Sequence, residues 1–384
     1  MEGVNIAGTL GGFLEDEQGN VYILSNKHVL HPDDAGDKKV IVQPSELDYT
    51  SKKNEAENNL KYYEEKDFSG EKMKENIEIL ENDLEKIKKN TPRKVGNYVC
   101  GFKNNLIYVD GSKIYVDAAI ASLELSDKEL SDMKHVKNEE KGPNRCPLYG
   151  FGTNKYSETE HYQSPNGEMI DLKHLEKCIR TENSELRFMK IGRTTGFTDE
   201  GFFDIPNEPL HLKFEHFKGI RLPTVQFLLC KDCKESISSR SKFDPDNEQD
   251  KHNWCRKCEK DLKNPDQVES IWAHNCFPIR KRGQRFSDEG DSGALVFDQQ
   301  GRAWGLIFGI FTDLSKDFTF SLMSPLSVVL DALKEISGKK ELKLWWVLPN
   351  FACCCSYSKI TFSQYKKIHG CFSHITHISS SIEK

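Results

Sequence analysis

Short β-branched and aromatic runs, punctuated by turn residues, recur along most of this chain and predict an all-β architecture. From Ala7 to Leu30, AGTLGGFLEDEQGNVYILSNKHVL reads as two β segments around a Gln18-Gly19-Asn20 turn, the second carrying Val21, Tyr22, Ile23 and Leu24. His28 follows at the end of that second segment. In NLIYVDGSKIYVDAAIASLEL, Asp110-Gly111 marks a hairpin between two β-branched runs, and Asp117 sits at the end of the second. A polar stretch follows, and RFMKIGRTTGFTDEGFFDI opens a new group of strands. Further strands cover Ala294 to Phe297 and Trp304 to Ile310, with a turn through Gln299, Gln300 and Gly301 between them.

Two segments break the strand pattern. Between about residues 47 and 94 the composition turns to Lys, Glu and Asn, and Ile77, Leu80, Leu84 and Ile87 form the stripe of an amphipathic helix. This predicts a helical insertion projecting from the domain. In SPLSVVLDALKEISGKK, Ser324 suits an N-cap, Pro325 the first helical position and Gly338 the stop, with Leu326, Val329, Leu330, Leu333 and Ile336 on one face. Beyond it, residues 341–384 show no assignable pattern.

Composition narrows the function classes. A chain of 384 residues with net charge −6 lacks the basic footprint of a nucleic-acid binder. No apolar run is long enough to span a bilayer, and the first residues carry no signal-peptide pattern, which predicts a cytoplasmic protein without a transmembrane segment. Four of the 12 cysteines form two CxxC pairs and three more, Cys353 to Cys355, are contiguous, which is not a secreted disulfide framework. The contiguous three are candidates for palmitoylation, although a tail without regular structure is the plainer reading.

FSDEGDSGALVF, residues 286–297, places Ser292 in a glycine-flanked turn. A serine hydroxyl becomes a nucleophile only beside a base that is itself oriented by a carboxylate. His28, Asp117 and Ser292 occur in one of the known chain orders for such a triad. LSNKHVL, VDAAIASL and GDSGALVF resemble the motifs of chymotrypsin-fold serine peptidases, and GRTTGFTDEG, residues 192–201, is similar to the opening hairpin of the second barrel in the bacterial-type branch. Asp117 is preferred over Asp110 for the small apolar run after it. The resemblance covers about half the chain. It implies a double β-barrel, with Ser292 as nucleophile, His28 as general base and acid, Asp117 orienting the imidazole, and the N–H groups of Gly290 and Ser292 as oxyanion hole. Asp291 would tie the turn down. It also implies a specificity-pocket position at Phe286, six residues before the nucleophile, where the trypsin branch has a carboxylate, so cleavage after Lys or Arg is not expected, and a substrate-pairing strand at Leu306 to Gly309.

The chain departs from that pattern. Val29 follows His28 where secreted relatives have a cysteine, and no zymogen-activation sequence is visible. CKDC, Cys230 to Cys233, and CRKC, Cys255 to Cys258, are separated by 21 residues, a spacing that suits a tetrahedral structural zinc site in a ribbon-like insertion. His252 and Cys276 are weaker substitutes as ligands. The expected organisation is a first barrel at 1–185 with a helical insertion at about 47–94, a second barrel at 186–338 with a paired-cysteine insertion at about 228–262, and a tail at 339–384. The expected activity is hydrolysis of protein or peptide substrates, with no catalytic cofactor. The alternative is a silent peptidase-like scaffold that binds a protein partner through its zinc module and helical insertion.

Overall fold

A computed structural model of the chain describes residues 8–31, 40–65, 71–108, 110–126, 129, 168–180, 186–204, 213–218, 220–232, 238–241, 251–255, 258, 260–262, 265–313 and 318–346. The first hairpin joins β1 (Gly12–Asp16) to β2 (Val21–Ser25), with Gly12 opposite Leu24. Asp16 closes its turn by accepting the N–H groups of Gln18 and Asn20 at 3.0 and 2.9 Å. His28 lies past the strand end, in a single helical turn, α1 (Lys27–Leu30). The carboxylate of Asp117 accepts the first two N–H groups of that turn, from Lys27 and His28, and so satisfies donors with no intrahelical partner.

After β3 (Val40–Gln43), the charged insertion folds as two helices packed on each other, α2 (Glu46–Glu65) and α3 (Glu71–Lys89). The apolar stripe lies on α3, where Leu84 is buried and Ile77, Leu80 and Ile87 are half-buried. The long hairpin of β4 (Arg93–Ile107) and β5 (Lys113–Ser122) turns at Gly111, whose φ of 78° glycine tolerates. Asp117 falls in the middle of β5 rather than at its end. A helix that the sequence did not signal, α4 (Leu172–Arg180), precedes the second half.

The second half contains β6 (Phe188–Gly192), β7 (Gly196–Phe203), β8 (Lys213–Phe217), β9 (Ile220–Cys230), β10 (Ser238–Ser241), β11 (Lys251–Cys255), β12 (Lys260–Leu262), β13 (Val268–Ala273), β14 (Phe277–Arg280), β15 (Leu295–Asp298), β16 (Ala303–Asp313) and β17 (Phe318–Pro325). Six of these close into a barrel in the order β14-β17-β16-β15-β6-β7, with Ile279 opposite Phe203 at the seam. β13, β9 and β8 form a three-stranded sheet beside it, and β10, β11 and β12 form another. The chain ends its described course with α5 (Leu326–Ser337) and β18 (Leu342–Trp346).

Two expectations need correction. The described strands of the first half form a six-stranded sheet, β18-β1-β2-β5-β4-β3, and not a closed barrel. Its outer strand β18 comes from the segment read as patternless, and it pairs antiparallel with β1, Leu344 facing Leu14. Ser324 is also not the N-cap of α5: Pro325 occupies that position without a side-chain bond, and the buried Ser324 hydroxyl donates to the Tyr115 carbonyl at 3.0 Å. A cap is worth about 1 kcal/mol. Burial of Leu326, Val329, Leu330 and Leu333, at roughly 1.5–3 kcal/mol each, outweighs its loss. Both halves share one core, in which Leu14, Leu24 and Val116 join Phe188, Trp304 and Leu306 beneath α5. Among the described residues, no helix is long and apolar enough to cross a membrane.

Candidate active site

Asp117 is buried within β5 at 2% exposure and followed by the small residues Ala118 and Ala119, on a strand that packs against β4 and α1. Its Oδ2 lies 2.6 Å from His28 Nδ1, and its Oδ1 accepts the N–H groups of Lys27 at 2.7 Å and His28 at 3.3 Å. Burial pushes the Asp117 carboxyl pKa up. Electrostatic attraction to the His28 ring, the hydrogen bonds from that ring and its backbone, and Lys103 on β4 outweigh that, so the net direction is downward. An ionised carboxylate only accepts hydrogen bonds, so His28 carries its proton on Nδ1 and keeps Nε2 as the basic nitrogen. The buried Asn26 fixes the pair from behind, its Nδ2 donating to the Asp117 carbonyl at 2.5 Å. The His28 ring remains 29% exposed, open to a reactant.

Ser292 sits in a turn built on two residues in the left-handed region, Gly290 at φ 94° and Gly293 at φ 91°. A Cβ on Gly293 would collide with Ser25 Oγ and the Thr9 carbonyl, so only glycine fits. Within the turn, the N–H groups of Asp291, Gly293 and Ala294 donate to the carbonyls of Asp288, Ile307 and Asp291 at 2.8–3.0 Å. Among the described residues, the N–H groups of Gly290 and Ser292 find no acceptor. Donors without an acceptor are available to a new one, the first of the conditions for stabilising a developing oxyanion; the other is that they aim at one point.

Thr9 stitches this turn to the hairpin that carries His28. Its N–H donates to the Ser292 carbonyl and its hydroxyl to the Gly290 carbonyl, both at 2.9 Å, while its own carbonyl accepts the Ser25 hydroxyl at 2.7 Å. Ser25 precedes His28 by three residues, and Gly8 is wedged between Val29 and the Ser292 carbonyl. The structure thus hydrogen-bonds His28 to Asp117 and packs the Ser292 turn against the segments on either side of His28.

Beneath the turn, Asp291 has a buried cationic partner that sequence reasoning missed. Asp291 is fully buried, and its carboxylate accepts the N–H groups of Thr194, Thr195 and Asp288 at 2.8, 3.2 and 3.0 Å and the Thr195 hydroxyl at 2.6 Å. Lys190 Nζ completes the shell at 2.9 Å, with both side chains at 0% exposure. Burial raises the Asp291 carboxyl pKa, but the Lys190 charge and these donors bring it below the ordinary range. Burial is also the largest influence on Lys190 and lowers its pKa against the pull of Asp291. The signal in the sequence was a lysine within the otherwise apolar run FMKIG.

A second missed pair joins the insertion to the same turn. The Arg193 guanidinium grips Asp48 at the start of α2, with Nε 2.9 and 2.8 Å from the two carboxylate oxygens, and stands against Gly290.

The other sequence candidates are placed as follows. Asp110 is exposed and spends its carboxylate on Ser112 in its own turn. Phe286 is 2% exposed, its ring against Gly201 and below Lys190 Nζ. Leu306 to Gly309 lie on β16. Cys230 and Cys258 converge with Asp232, the two sulfurs 3.9 Å apart. Cys255 and His252 are on β11, while Cys233 and the tail cysteines Cys353 to Cys355 lie outside the described residues. Cys276 is buried away from that group, with its Sγ on the Ala273 carbonyl, and burial pushes its thiol pKa upward.

No protein-family model matches the chain, and no curated protein does. Among solved structures, it is similar to the crystal structure of a protease from Nocardiopsis, at 9% identity and a TM-score of 0.32, over 88% of this chain and 98% of that one. A likeness this distant leaves the reading of the site to its own geometry.

Proposed function

We propose that this chain is a serine endopeptidase that hydrolyses peptide bonds through an acyl-enzyme. The observation that carries the reading is the buried Asp117 carboxylate on His28 Nδ1, which leaves Nε2 as the base of a partly open imidazole. Ser292 Oγ attacks the scissile carbonyl as His28 Nε2 takes its proton. The C–N bond then breaks as that proton passes to the leaving amine, and water repeats the cycle to release the acid. Asp117 stays ionised and stabilises the imidazolium. The unengaged N–H groups of Gly290 and Ser292 receive the oxyanion. Lys190 supplies Asp291 with a buried cation that holds the turn in this form.

Treatment of the purified chain and its Ser292→Ala variant with a fluorophosphonate probe tests this. Serine-dependent labelling is expected. Equal absence of label from both would leave the silent scaffold as the reading.

A further inference from the structure

We propose that Cys230 and Cys258 are two ligands of a structural zinc ion that docks the β10-β11-β12 sheet onto the end of the β9/β13 ribbon. The inference is independent of the catalytic reading. The two cysteines are 28 residues apart in sequence, yet their sulfurs lie 3.9 Å from each other. Thiolates about 2.3 Å from a tetrahedral zinc are separated by roughly 3.8 Å. A disulfide needs about 2.05 Å, so this spacing fits shared coordination and not a bond. Sulfur donors also select zinc over calcium or magnesium, which take oxygen.

The placement suits a metal clamp. Cys230 is the last residue of β9, opposite Val268 of β13, and the next N–H, from Lys231, donates to the Gln267 carbonyl at 2.9 Å. That end is held by its pairing with β13. Cys258 stands between β11 and β12, whose pairing brings Cys255 opposite Lys260. The strands SSRS, KHNWC and KDL contribute Trp254 and Leu262 as their large apolar residues, too few for an independent core. A metal bound only in the folded state supplies that missing stability. By sequence, Cys233 and Cys255 are the partners for the remaining two positions, and Asp232 is the competing donor within the described cluster.

The test uses the purified full chain. Elemental analysis should find about one zinc per chain. Replacement by Co²⁺ should produce a thiolate-to-cobalt charge-transfer band and the visible bands of a tetrahedral site. Cys258→Ser should lose the metal, whereas Cys276→Ser should retain it and Asp232→Asn should leave the cobalt spectrum unchanged. If Cys258→Ser does not fold, the wild type still reports: chelation should expose Cys230 and Cys258 to a thiol reagent and residues 231–257 to protease. Absence of metal together with no charge-transfer band on reduced protein would overturn the proposal, as would stoichiometric iron in place of zinc. A cobalt spectrum altered by Asp232→Asn would overturn the all-thiolate ligand set.

Discussion

Replacing Lys190 by methionine would remove one partner of a wholly buried ion pair with little change in side-chain length. Asp291 would keep the N–H groups of Thr194, Thr195 and Asp288 and the Thr195 hydroxyl, yet lose the only cation within 4 Å among the described residues. Removing one partner of a buried pair generally costs about 3–5 kcal/mol, because a charge is left without compensation. Four retained hydrogen bonds place the expected loss at the lower end, about 3 kcal/mol. Urea unfolding at neutral pH measures it, and fluorophosphonate labelling of Ser292 should slow as the turn loosens. The sign with pH is specific. A lone buried carboxylate has a raised pKa, so the deficit of Lys190→Met relative to wild type should shrink as pH falls and Asp291 takes up a proton. Adding Asp291→Asn, which removes the stranded charge, should recover part of the stability. A deficit below about 1 kcal/mol with unchanged labelling would refute the assignment of Lys190 as the cation that holds the turn.

Asp117→Asn preserves the shape of the pair but favours the wrong imidazole tautomer, and turnover on a peptide substrate should fall on the order of 10⁴-fold, the loss known for this change in other triads. Gly293→Ala requires a left-handed φ with Ser25 Oγ and the Thr9 carbonyl in the way, so calorimetry should show a loss of at least about 2 kcal/mol. In acid, Asp117 and Asp291 have folded-state pKa values below the ordinary 3.8. The stability they contribute is complete above that value and lost as pH falls through their lowered values, so a fall in denaturant midpoint attributable to them should begin near pH 4 and deepen below it.

Much of this arrangement was legible in local sequence. Asp110-Gly111 and Gln18-Gly19-Asn20 turn the chain where expected, and Gly338, at φ 68°, stops α5. These features depend on the φ preferences of a few adjacent residues, which act at short range. Lys190 was harder to read because a lysine in a strand ordinarily signals a solvent face; only the distant Asp291 makes its burial tolerable. Ser324 looked like a cap because the competing acceptor, the Tyr115 carbonyl, is 209 residues away in sequence. β18 was missed because a strand that adds to a sheet edge is defined as much by that edge as by its own pattern.

The sequence by itself determined the short strands, the glycine turn around Ser292, the order of His28, Asp117 and Ser292, and the paired cysteines. Tertiary structure alone decided that Asp117 meets His28 at Nδ1, that Thr9 fastens the serine turn to the first hairpin, that Lys190 neutralises Asp291, and that Cys230 approaches Cys258. Local dihedral preference and hydrophobic period act between neighbours and can be read along the chain. Hydrogen bonds and ion pairs between residues far apart in sequence exist only once the chain has packed.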